Sequence, residues 1–208
     1  MTTVRRWVVL PLVLAFLALA ACIGPLSADD EYQKIIYWRV GDPAVPIQLK
    51  DDQGGVWDSK QHYGKKYVVL YFYEGDFMPK CTQEAVAFRD ACGAITSEGA
   101  ELIGISGDET ANHQRFKEKY HLQQTLLADD KGDVGKAFGL AWSGGGDWPI
   151  VDAKGKEIKL HRGITESRWT WIVGKDGAFI YKNMNVDPEQ NAKEVLKFLN
   201  DRNNPKEP

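Results

Sequence analysis

The sequence predicts an α/β protein with one central sheet and helices on its faces. Residues 68–73 form an unbroken run of β-branched, aromatic and aliphatic side chains, which is typical of a central strand buried on both faces. From residue 79 to about residue 96, apolar side chains return at helical intervals instead. A second apolar run at residues 101–106 closes a β-α-β unit, whose two strands we expect to be parallel. This order of elements predicts a single layer of strands covered by helices.

The elements on either side of this unit complete the predicted sheet. Before it, apolar residues around 47–49 and 56–57 flank the polar, glycine-containing segment 51–55, which predicts an N-terminal β-hairpin. After it, the pattern predicts a charged helix at 110–120, a short strand at 124–128 and a short helix at 133–138 that ends at Gly139.

The last third of the chain has a mixed pattern. Residues 143–147 contain three consecutive glycines and are predicted to form a loop, since no Gly-Lys-Ser/Thr follows that would make them a phosphate-binding loop. Residues 151–160 contain a Lys154-Gly155 turn with room for two small strands. A hairpin is predicted at 169–173 and 178–181, and Asp187 is predicted to cap a helix at 188–200.

The first 21 residues are predicted to be a secretory signal peptide. Two arginines precede an apolar run, and no stop-transfer charges follow it. The run ends in Leu-Ala-Ala and then Cys22, which resembles the lipobox of bacterial lipoproteins. The resemblance implies cleavage before Cys22 and a lipid on its sulfur; an ordinary signal peptide and an uncleaved anchor stay as alternatives. The predicted organisation is thus a signal peptide (1–21), a tether (22–40), one domain (41–200) and a polar tail (201–208).

Composition and charge exclude several classes of function. Removal of residues 1–21 leaves 187 residues with 24 basic and 29 acidic side chains, a net charge of −5, so nothing indicates a nucleic-acid partner. Two further cysteines, Cys81 and Cys92, are too few for a disulfide framework. The four histidines are scattered without metal-ligand spacing, so we predict no metal or cofactor and assign each histidine to the surface or a loop; they are His62, His113, His121 and His161.

Cys81 is the residue whose position predicts chemistry. It follows a polar loop that contains Gly75 and Pro79, and it is expected at or just inside a helix N-terminus. Unpaired backbone N–H groups and the positive end of the helix dipole favour a thiolate at such a position. A buried cysteine that serves only in packing is the alternative.

From about residue 41 to residue 200 the chain resembles a peroxiredoxin, in particular the bacterioferritin-comigratory-protein or peroxiredoxin Q group. The resemblance is carried by several short motifs that occur in the family's order: Tyr71-Phe72-Tyr73, Asp76-Phe77, Pro79, Cys81-Thr82-Gln83-Glu84-Ala85, Phe88-Arg89-Asp90, Gly104-Ile105-Ser106, Leu126-Leu127-Ala128-Asp129, Arg168-Trp169-Thr170 and Lys175-Asp176-Gly177. It implies a thioredoxin-like fold of peroxiredoxin type, with a central mixed sheet, flanking helices and an N-terminal hairpin.

The resemblance also implies roles for three residues. Cys81 corresponds to the peroxidatic cysteine, Arg168 to the arginine beside its sulfur, and Glu84 to the carboxylate that orients this arginine. A fixed guanidinium would lower the thiol pKa and donate hydrogen bonds to peroxide oxygens, so the chemistry agrees with these roles. Without the resemblance, Arg168 would be read as a charge at the start of a strand, and Glu84 as an acid in the first turn of a helix.

The active-site loop departs from the family pattern at three positions. Glu74 replaces a proline, Met78 a threonine or serine, and Lys80 the usual glycine. Because a thioether cannot donate the hydrogen bond that the hydroxyl would give, Met78 is expected to weaken transition-state stabilisation by about 1.5–3 kcal/mol. That is roughly a ten- to hundredfold loss in rate. Lys80 would restore some positive charge near the sulfur.

Many relatives have a second cysteine five residues after the first, but this chain has Val86 there. Cys92 is therefore the only other thiol available to resolve the oxidised Cys81. Eleven residues of intact helix separate Cys81 and Cys92, roughly 16 Å at 1.5 Å per residue. A disulfide needs Cα atoms within about 7 Å. We therefore expect a one-cysteine cycle or an intermolecular bond, with Cys92 as a core residue.

These inferences predict a thiol-dependent peroxidase that reduces hydrogen peroxide or organic hydroperoxides, with an external thiol or a thioredoxin-like protein as reductant. We expect it to be lipid-anchored in the bacterial cell envelope, to face the periplasm, and to be a monomer or a dimer. Two alternatives stay open. A thiol-disulfide exchange protein would normally need a Cys-x-x-Cys pair that this chain does not have. A non-catalytic lipoprotein that keeps the fold would be consistent with Glu74 and Met78.

Overall fold

The computed structural model describes residues 38–205. The predicted signal peptide, Cys22 and residues 22–37 of the predicted tether therefore lie outside the described residues, as do the last three residues of the predicted tail. Within the described part of the chain, no helix is both long enough and apolar enough to cross a membrane.

Seven strands form the main sheet and two more form a separate ribbon. The strands of the main sheet are β1 (Gln48–Asp51), β2 (Val56–Asp58), β3 (Tyr67–Phe72), β4 (Ala100–Ser106), β5 (Thr125–Ala128), β8 (Trp169–Val173) and β9 (Phe179–Asn183). The ribbon consists of β6 (Trp142–Val151) and β7 (Glu157–Glu166). The four α-helices within residues 38–205 are α1 (Pro79–Ser97), α2 (Thr110–Tyr120), α3 (Asp133–Phe138) and α4 (Asn191–Asn203). A short 3₁₀ turn, Ser59–Gln61, follows β2.

The main sheet has the strand order β2-β1-β5-β4-β3-β8-β9. The central pairs β3–β4 and β4–β5 are parallel, whereas β1–β5, β3–β8 and the two hairpins are antiparallel. The predicted mixed sheet, its β-α-β unit and both terminal hairpins are therefore confirmed.

Every residue of β3 is buried, as its continuous apolar pattern predicts. Tyr67, Val69 and Tyr71 face a core cluster that includes residues of α1, α2 and α4. Val68, Leu70 and Phe72 face a second cluster that includes residues of α3 and the N-terminal segment. Helices on both faces thus exclude water from the strand that ends at the candidate active site.

Two predictions in the last third of the chain were wrong. The segment 143–147 is not a loop but part of β6, which pairs with β7 from Trp142↔Glu166 to Val151↔Glu157. Glycine has a low intrinsic strand preference, but here the partner strand supplies the hydrogen bonds. Asp187 does not cap a helix at residue 188: its side chain accepts from the Glu189 backbone N–H, and α4 begins only at Asn191. The same helix includes the first three residues of the predicted tail.

The glycine triplet permits a comparison of two neighbouring substitutions. A Cβ atom on Gly145 would lie 1.9 Å from the Arg162 backbone oxygen, whereas a Cβ atom on Gly144 would meet nothing within 4 Å. Gly145→Ala is therefore expected to lower the free energy of unfolding by about 1–3 kcal/mol, because the contacted atoms belong to the backbone of β7 and cannot rotate away. Gly144→Ala is the matched control and should leave it nearly unchanged. Urea denaturation checks this, and equal midpoints for the two variants would contradict the close approach of β6 and β7.

Candidate active site

The N-terminus of α1 holds Cys81 in the first helical turn. Met78 is the residue before the helix, Pro79 is its first residue, and the Thr82 N–H donates to the Met78 carbonyl at 2.8 Å. Proline is favoured at this position because it has no N–H that would need a partner. The loop before it contains Phe77 in the left-handed region, with φ of +63°. Its ring packs against Phe116 of α2 at a centroid distance of 5.1 Å, which holds this uncommon backbone conformation in place.

Arg168 reaches the sulfur of Cys81 from a neighbouring strand. The residue precedes β8, and Trp169 of β8 pairs with Phe72 at the end of β3. This register places Arg168 beside the point where β3 leads into the active-site loop. Its Nη2 donates a hydrogen bond to Cys81 Sγ at 3.2 Å.

Glu84 lies one helical turn after Cys81 and anchors the same guanidinium. Its side chain is fully buried, and it accepts hydrogen bonds from Arg168 Nη1 and, at 2.7 Å, from Asn191 Nδ2. Asn191 also donates to Thr170 Oγ1 at 2.8 Å and so connects α4, α1 and β8. Burial raises the pKa of Glu84 to about 7, although Arg168 and Asn191 act to lower it.

A second carboxylate also contacts Arg168. Arg168 Nη2 lies 3.4 Å from Glu74 Oε2, and the Glu74 side chain is 40 % exposed. One guanidinium therefore faces two carboxyl groups and the Cys81 sulfur. Because Glu74 is a negative charge close to the sulfur, it raises the thiol pKa and opposes Arg168.

The pKa of the Cys81 thiol is raised overall, not lowered as the sequence predicts, although Arg168 does act to lower it as expected. Cys81 is only 1 % exposed, and this burial raises the pKa of its thiol above the ordinary value. Arg168, through its charge and its hydrogen bond, and a hydrogen bond from the Gly75 backbone both act in the opposite direction without fully offsetting burial. The helix terminus alone does not decide the ionisation, since the surrounding packing removes water from the sulfur.

The other sequence-predicted residues are not all at the site. Met78 is partly buried three residues before Cys81, and Pro79 and Lys80 are exposed on the first turn of α1. Cys92 is a free, partly buried thiol on the same helix, packed at the edge of the core cluster. Because α1 is continuous from Pro79 to Ser97, Cys81 and Cys92 are held about three turns apart.

The sequence analysis missed a buried ionic cluster that supports the active-site loop. Its members are Asp76 of the loop, Asp108, His113 of α2 and Arg162 of β7, and each is at most 3 % exposed. Arg162 Nε donates to Asp108 Oδ2 at 2.9 Å, and Asp108 in turn accepts the Asp76 backbone N–H at 2.8 Å. The signal that could have found Arg162 is the alternation of Ile158, Leu160, Arg162 and Ile164, which places Arg162 on the buried face of a strand.

His113 corrects the assignment of all four histidines to the surface or loops. It is fully buried, and its Nδ1 lies 2.8 Å from Asp76 Oδ2. Burial lowers the pKa of His113, but the Asp76 and Asp108 carboxylates outweigh it and leave the pKa above its ordinary value. This favours an imidazolium that pairs with Asp76. His121 and His161 are exposed, whereas His62 is partly buried against Glu101.

Residues 38–205 form no metal cluster at this site, and a surface cavity of the protein lies elsewhere. Among residues 38–205, no group of three or more His, Cys, Asp or Glu side chains is placed to hold a metal ion. A cavity of about 510 Å³ lies between β1, β5 and the start of α2, and its lining includes none of Cys81, Glu84 or Arg168.

The comparison with known families agrees with this geometry. Residues 40–182, which contain Cys81, Glu84 and Arg168, match the model of the AhpC/TSA family. The chain belongs to the AhpC/TSA family. Among curated relatives, it is 36 % identical over 181 residues to the chloroplastic peroxiredoxin Q of Arabidopsis thaliana, covering 85 % of this chain and 74 % of that protein. It is 35 % identical over 163 residues to the peroxiredoxin Bcp of Bacillus subtilis (strain 168), covering 78 % and 96 %.

Solved structures show that this fold occurs in other proteins. Peroxidoxin BcpB from Mycobacterium tuberculosis superimposes with a TM-score of 0.65 at 24 % identity, covering 82 % of this chain and all of that one. The Xanthomonas campestris bacterioferritin comigratory protein, studied for its alkyl peroxide reduction activity, has a TM-score of 0.60 at 23 % identity, covering 75 % and 91 %. The predicted thioredoxin-like fold of peroxiredoxin type is confirmed. This AhpC/TSA member is a thiol-dependent peroxidase of the peroxiredoxin class, as predicted from its sequence.

Proposed function

We propose that Cys81 is the nucleophile that reduces the peroxide. The observation that carries this proposal is the hydrogen bond of 3.2 Å from Arg168 Nη2 to Cys81 Sγ, in the first turn of α1. In the reaction the thiolate attacks the terminal peroxide oxygen, an S–O bond forms and the O–O bond breaks. The other oxygen takes up a proton from solvent and leaves as water or an alcohol, and Cys81 becomes a sulfenic acid.

Arg168 acts on both the sulfur and the peroxide in this proposal. Its guanidinium stabilises the thiolate and, as the O–O bond breaks, the negative charge that develops on the leaving oxygen. Glu84 and Asn191 are positioning residues, because the buried Glu84 accepts from the guanidinium and the buried Asn191 holds Glu84 in place. Cys81 is only 1 % exposed, and Glu74 and Met78 on the loop before it are partly exposed, so we infer that a peroxide approaches the sulfur from this side.

The structure supports a one-cysteine cycle in which the reductant comes from outside the chain. Cys81 and Cys92 lie on one continuous helix, roughly 16 Å apart along its axis. A direct disulfide would require about three turns of α1 to unwind. The sulfenic acid is therefore reduced by a small thiol or a thioredoxin-like protein, or it forms an intermolecular bond.

Mass spectrometry after one turnover tests this cycle. The reduced protein is mixed with one equivalent of hydrogen peroxide in the presence of dimedone, which traps sulfenic acids. We expect the adduct on Cys81 and an unmodified Cys92. An intramolecular Cys81–Cys92 disulfide would overturn the one-cysteine assignment but leave Cys81 as the nucleophile, whereas an adduct on Cys92 alone would overturn both.

We further propose that the enzyme is a lipoprotein of the bacterial cell envelope that faces the periplasm. This rests on the sequence alone: an apolar segment of signal-peptide length ends in Leu-Ala-Ala directly before Cys22. After expression in a bacterium, the protein should sediment with membranes, and Cys22→Ser should release it into the soluble fraction. Sedimentation of the variant with membranes would contradict the lipid anchor.

A further inference from the structure

Met78 places a thioether where the peroxiredoxin resemblance expects a hydroxyl, directly before the helix that carries Cys81. Serine and threonine are favoured at this position because their oxygen accepts a backbone N–H of the first turn. Met78 makes no such bond, and its side chain is partly exposed. The residue directly before α1 therefore carries an oxidisable sulfur, three residues before the reactive thiol.

Arg162 directs an N–H group at that sulfur. Its Nη1 lies 3.4 Å from Met78 Sδ, a weak acceptor for a charged donor. The rest of the guanidinium is held in place: Nε donates to Asp108 at 2.9 Å, and Nη2 donates to the Asp76 carbonyl at 3.2 Å.

Two neighbours leave the Arg162 guanidinium little room to move. A Cβ atom on Gly75 would lie 1.8 Å from Arg162 Cζ, so only glycine admits the arginine here. On another side, the Trp148 ring lies 4.6 Å from Arg162 Cζ. The Arg162 N–H group that points at Met78 is therefore preorganised, and Arg162 is only 3 % exposed.

We propose that Met78 is a modification site at which peroxide forms methionine sulfoxide with the assistance of Arg162. A sulfur lone pair attacks the terminal oxygen of a hydroperoxide; an S–O bond forms and the O–O bond breaks. The proton of the terminal oxygen moves to the leaving oxygen, which departs as water or an alcohol. The sulfur is oxidised by two electrons and the peroxide is reduced by two.

Arg162 favours this step both during the reaction and in the product. Its positive charge stabilises the negative charge that develops on the leaving oxygen. In the product, the sulfoxide oxygen replaces a weak sulfur acceptor with a strong one, so the Arg162 N–H gains a charge-assisted hydrogen bond. Oxidation thus satisfies a buried donor that the unmodified thioether satisfies poorly.

Met184 provides an internal reference within the same chain. Its side chain is 53 % exposed, so exposure alone would make it the faster of the two methionines to oxidise. The experiment uses the full chain with Cys81→Ser, so that the thiol neither consumes the peroxide nor contributes to the result. Failure here is therefore distinguishable from failure of the Cys81 mechanism. Peptide mass spectrometry follows the sulfoxide at both methionines during exposure to excess hydrogen peroxide.

We expect Met78 to oxidise several-fold faster than Met184 in the folded protein and at an equal rate in concentrated urea. Arg162→Lys, which keeps a positive charge near Asp108 but removes the N–H aimed at Met78, should bring the ratio of rates below one. The proposal would be overturned if Met78 oxidised no faster than Met184 in the folded Cys81→Ser protein. It would also be overturned if Met78 oxidised faster than Met184 by the same factor in concentrated urea. An unchanged ratio in a folded Arg162→Lys protein would overturn the role of Arg162. If that variant does not fold, the comparison of the two methionines still decides the site.

Discussion

Cys81→Ser is expected to lower the rate of peroxide consumption by at least about a thousandfold, to the background level. The serine hydroxyl is scarcely ionised at neutral pH and is a much weaker nucleophile than a thiolate, so replacement of a nucleophile by a near-isostere removes the chemical step itself. The substitution also removes the sulfur that accepts the Arg168 hydrogen bond. Consumption of hydrogen peroxide with dithiothreitol as the reductant measures this effect.

Cys92→Ser is the matched control for this prediction. It makes the same change on the same helix about three turns away, at a partly buried position at the edge of the core. The variant should keep its rate within about twofold, because in the proposed cycle dithiothreitol reduces Cys81 directly and Cys92 takes no part in the chemistry. If Cys81→Ser consumed peroxide as fast as Cys92→Ser, the assignment of the nucleophile would have to be abandoned.

Arg168→Met is expected to slow the reaction of the reduced protein with hydrogen peroxide by about 10²- to 10³-fold. Methionine has a similar length but no charge and no N–H donor, so the variant loses the hydrogen bond to the sulfur and, in the proposed mechanism, another to the peroxide. It also leaves Glu84 with only Asn191 as a hydrogen-bond donor among its contacts in residues 38–205. Stopped-flow fluorescence would follow the reaction, with Trp169 and Trp171 close to the site as reporters.

The pH profile distinguishes a loss of Arg168 chemistry from a loss of structure. Arg168 lowers the pKa of the Cys81 thiol. Without it the folded-state pKa rises further, so the thiolate and the rate should appear only at higher pH. A variant that was merely less stable would lose amplitude without this shift. Arg115 is an exposed arginine whose described hydrogen bond lies within α2. Arg115→Met is therefore expected to change neither the rate of the reaction with peroxide nor its pH profile.

Arg168→Lys should give an intermediate result. Lysine keeps the positive charge but cannot hold the sulfur and Glu84 at the same time with the geometry of a planar fork. We expect a loss of about tenfold, with a smaller shift of the pH profile than in Arg168→Met. Equal rates for Arg168→Lys and the unmodified protein would show that charge alone suffices and that the fork geometry has no role.

Several features of this enzyme can be predicted from local sequence because they depend on residues close together in the chain. The continuous apolar run of β3 requires a strand buried on both faces, and Pro79 marks the start of α1. Together they place Cys81 in the first turn of a helix. The motifs around Cys81 and Arg168 also identify the family before any contact is known.

Other features depend on residues that are distant in sequence. The glycine triplet has no strand signal of its own, and it becomes part of β6 only because β7 pairs with it. Asn191 reaches Glu84 across 107 positions of sequence, and its local pattern predicts only a polar residue near the start of a helix. Arg162 meets Met78 across 84 positions and could have been suspected only from the alternation along β7.

The sequence by itself thus determined the sheet, the helix that presents Cys81, and the arginine and glutamate that belong with it, because each follows from a short-range pattern or a motif. The tertiary structure alone decided the direction in which the pKa of Cys81 shifts, since burial raises this pKa and no local pattern reports burial by distant residues. It also decided which groups surround the active-site loop, including the cluster of Asp76, Asp108, His113 and Arg162. The physical reason is that desolvation and charge pairing depend on what packs around a group in space, and packing is set by contacts between distant parts of the chain.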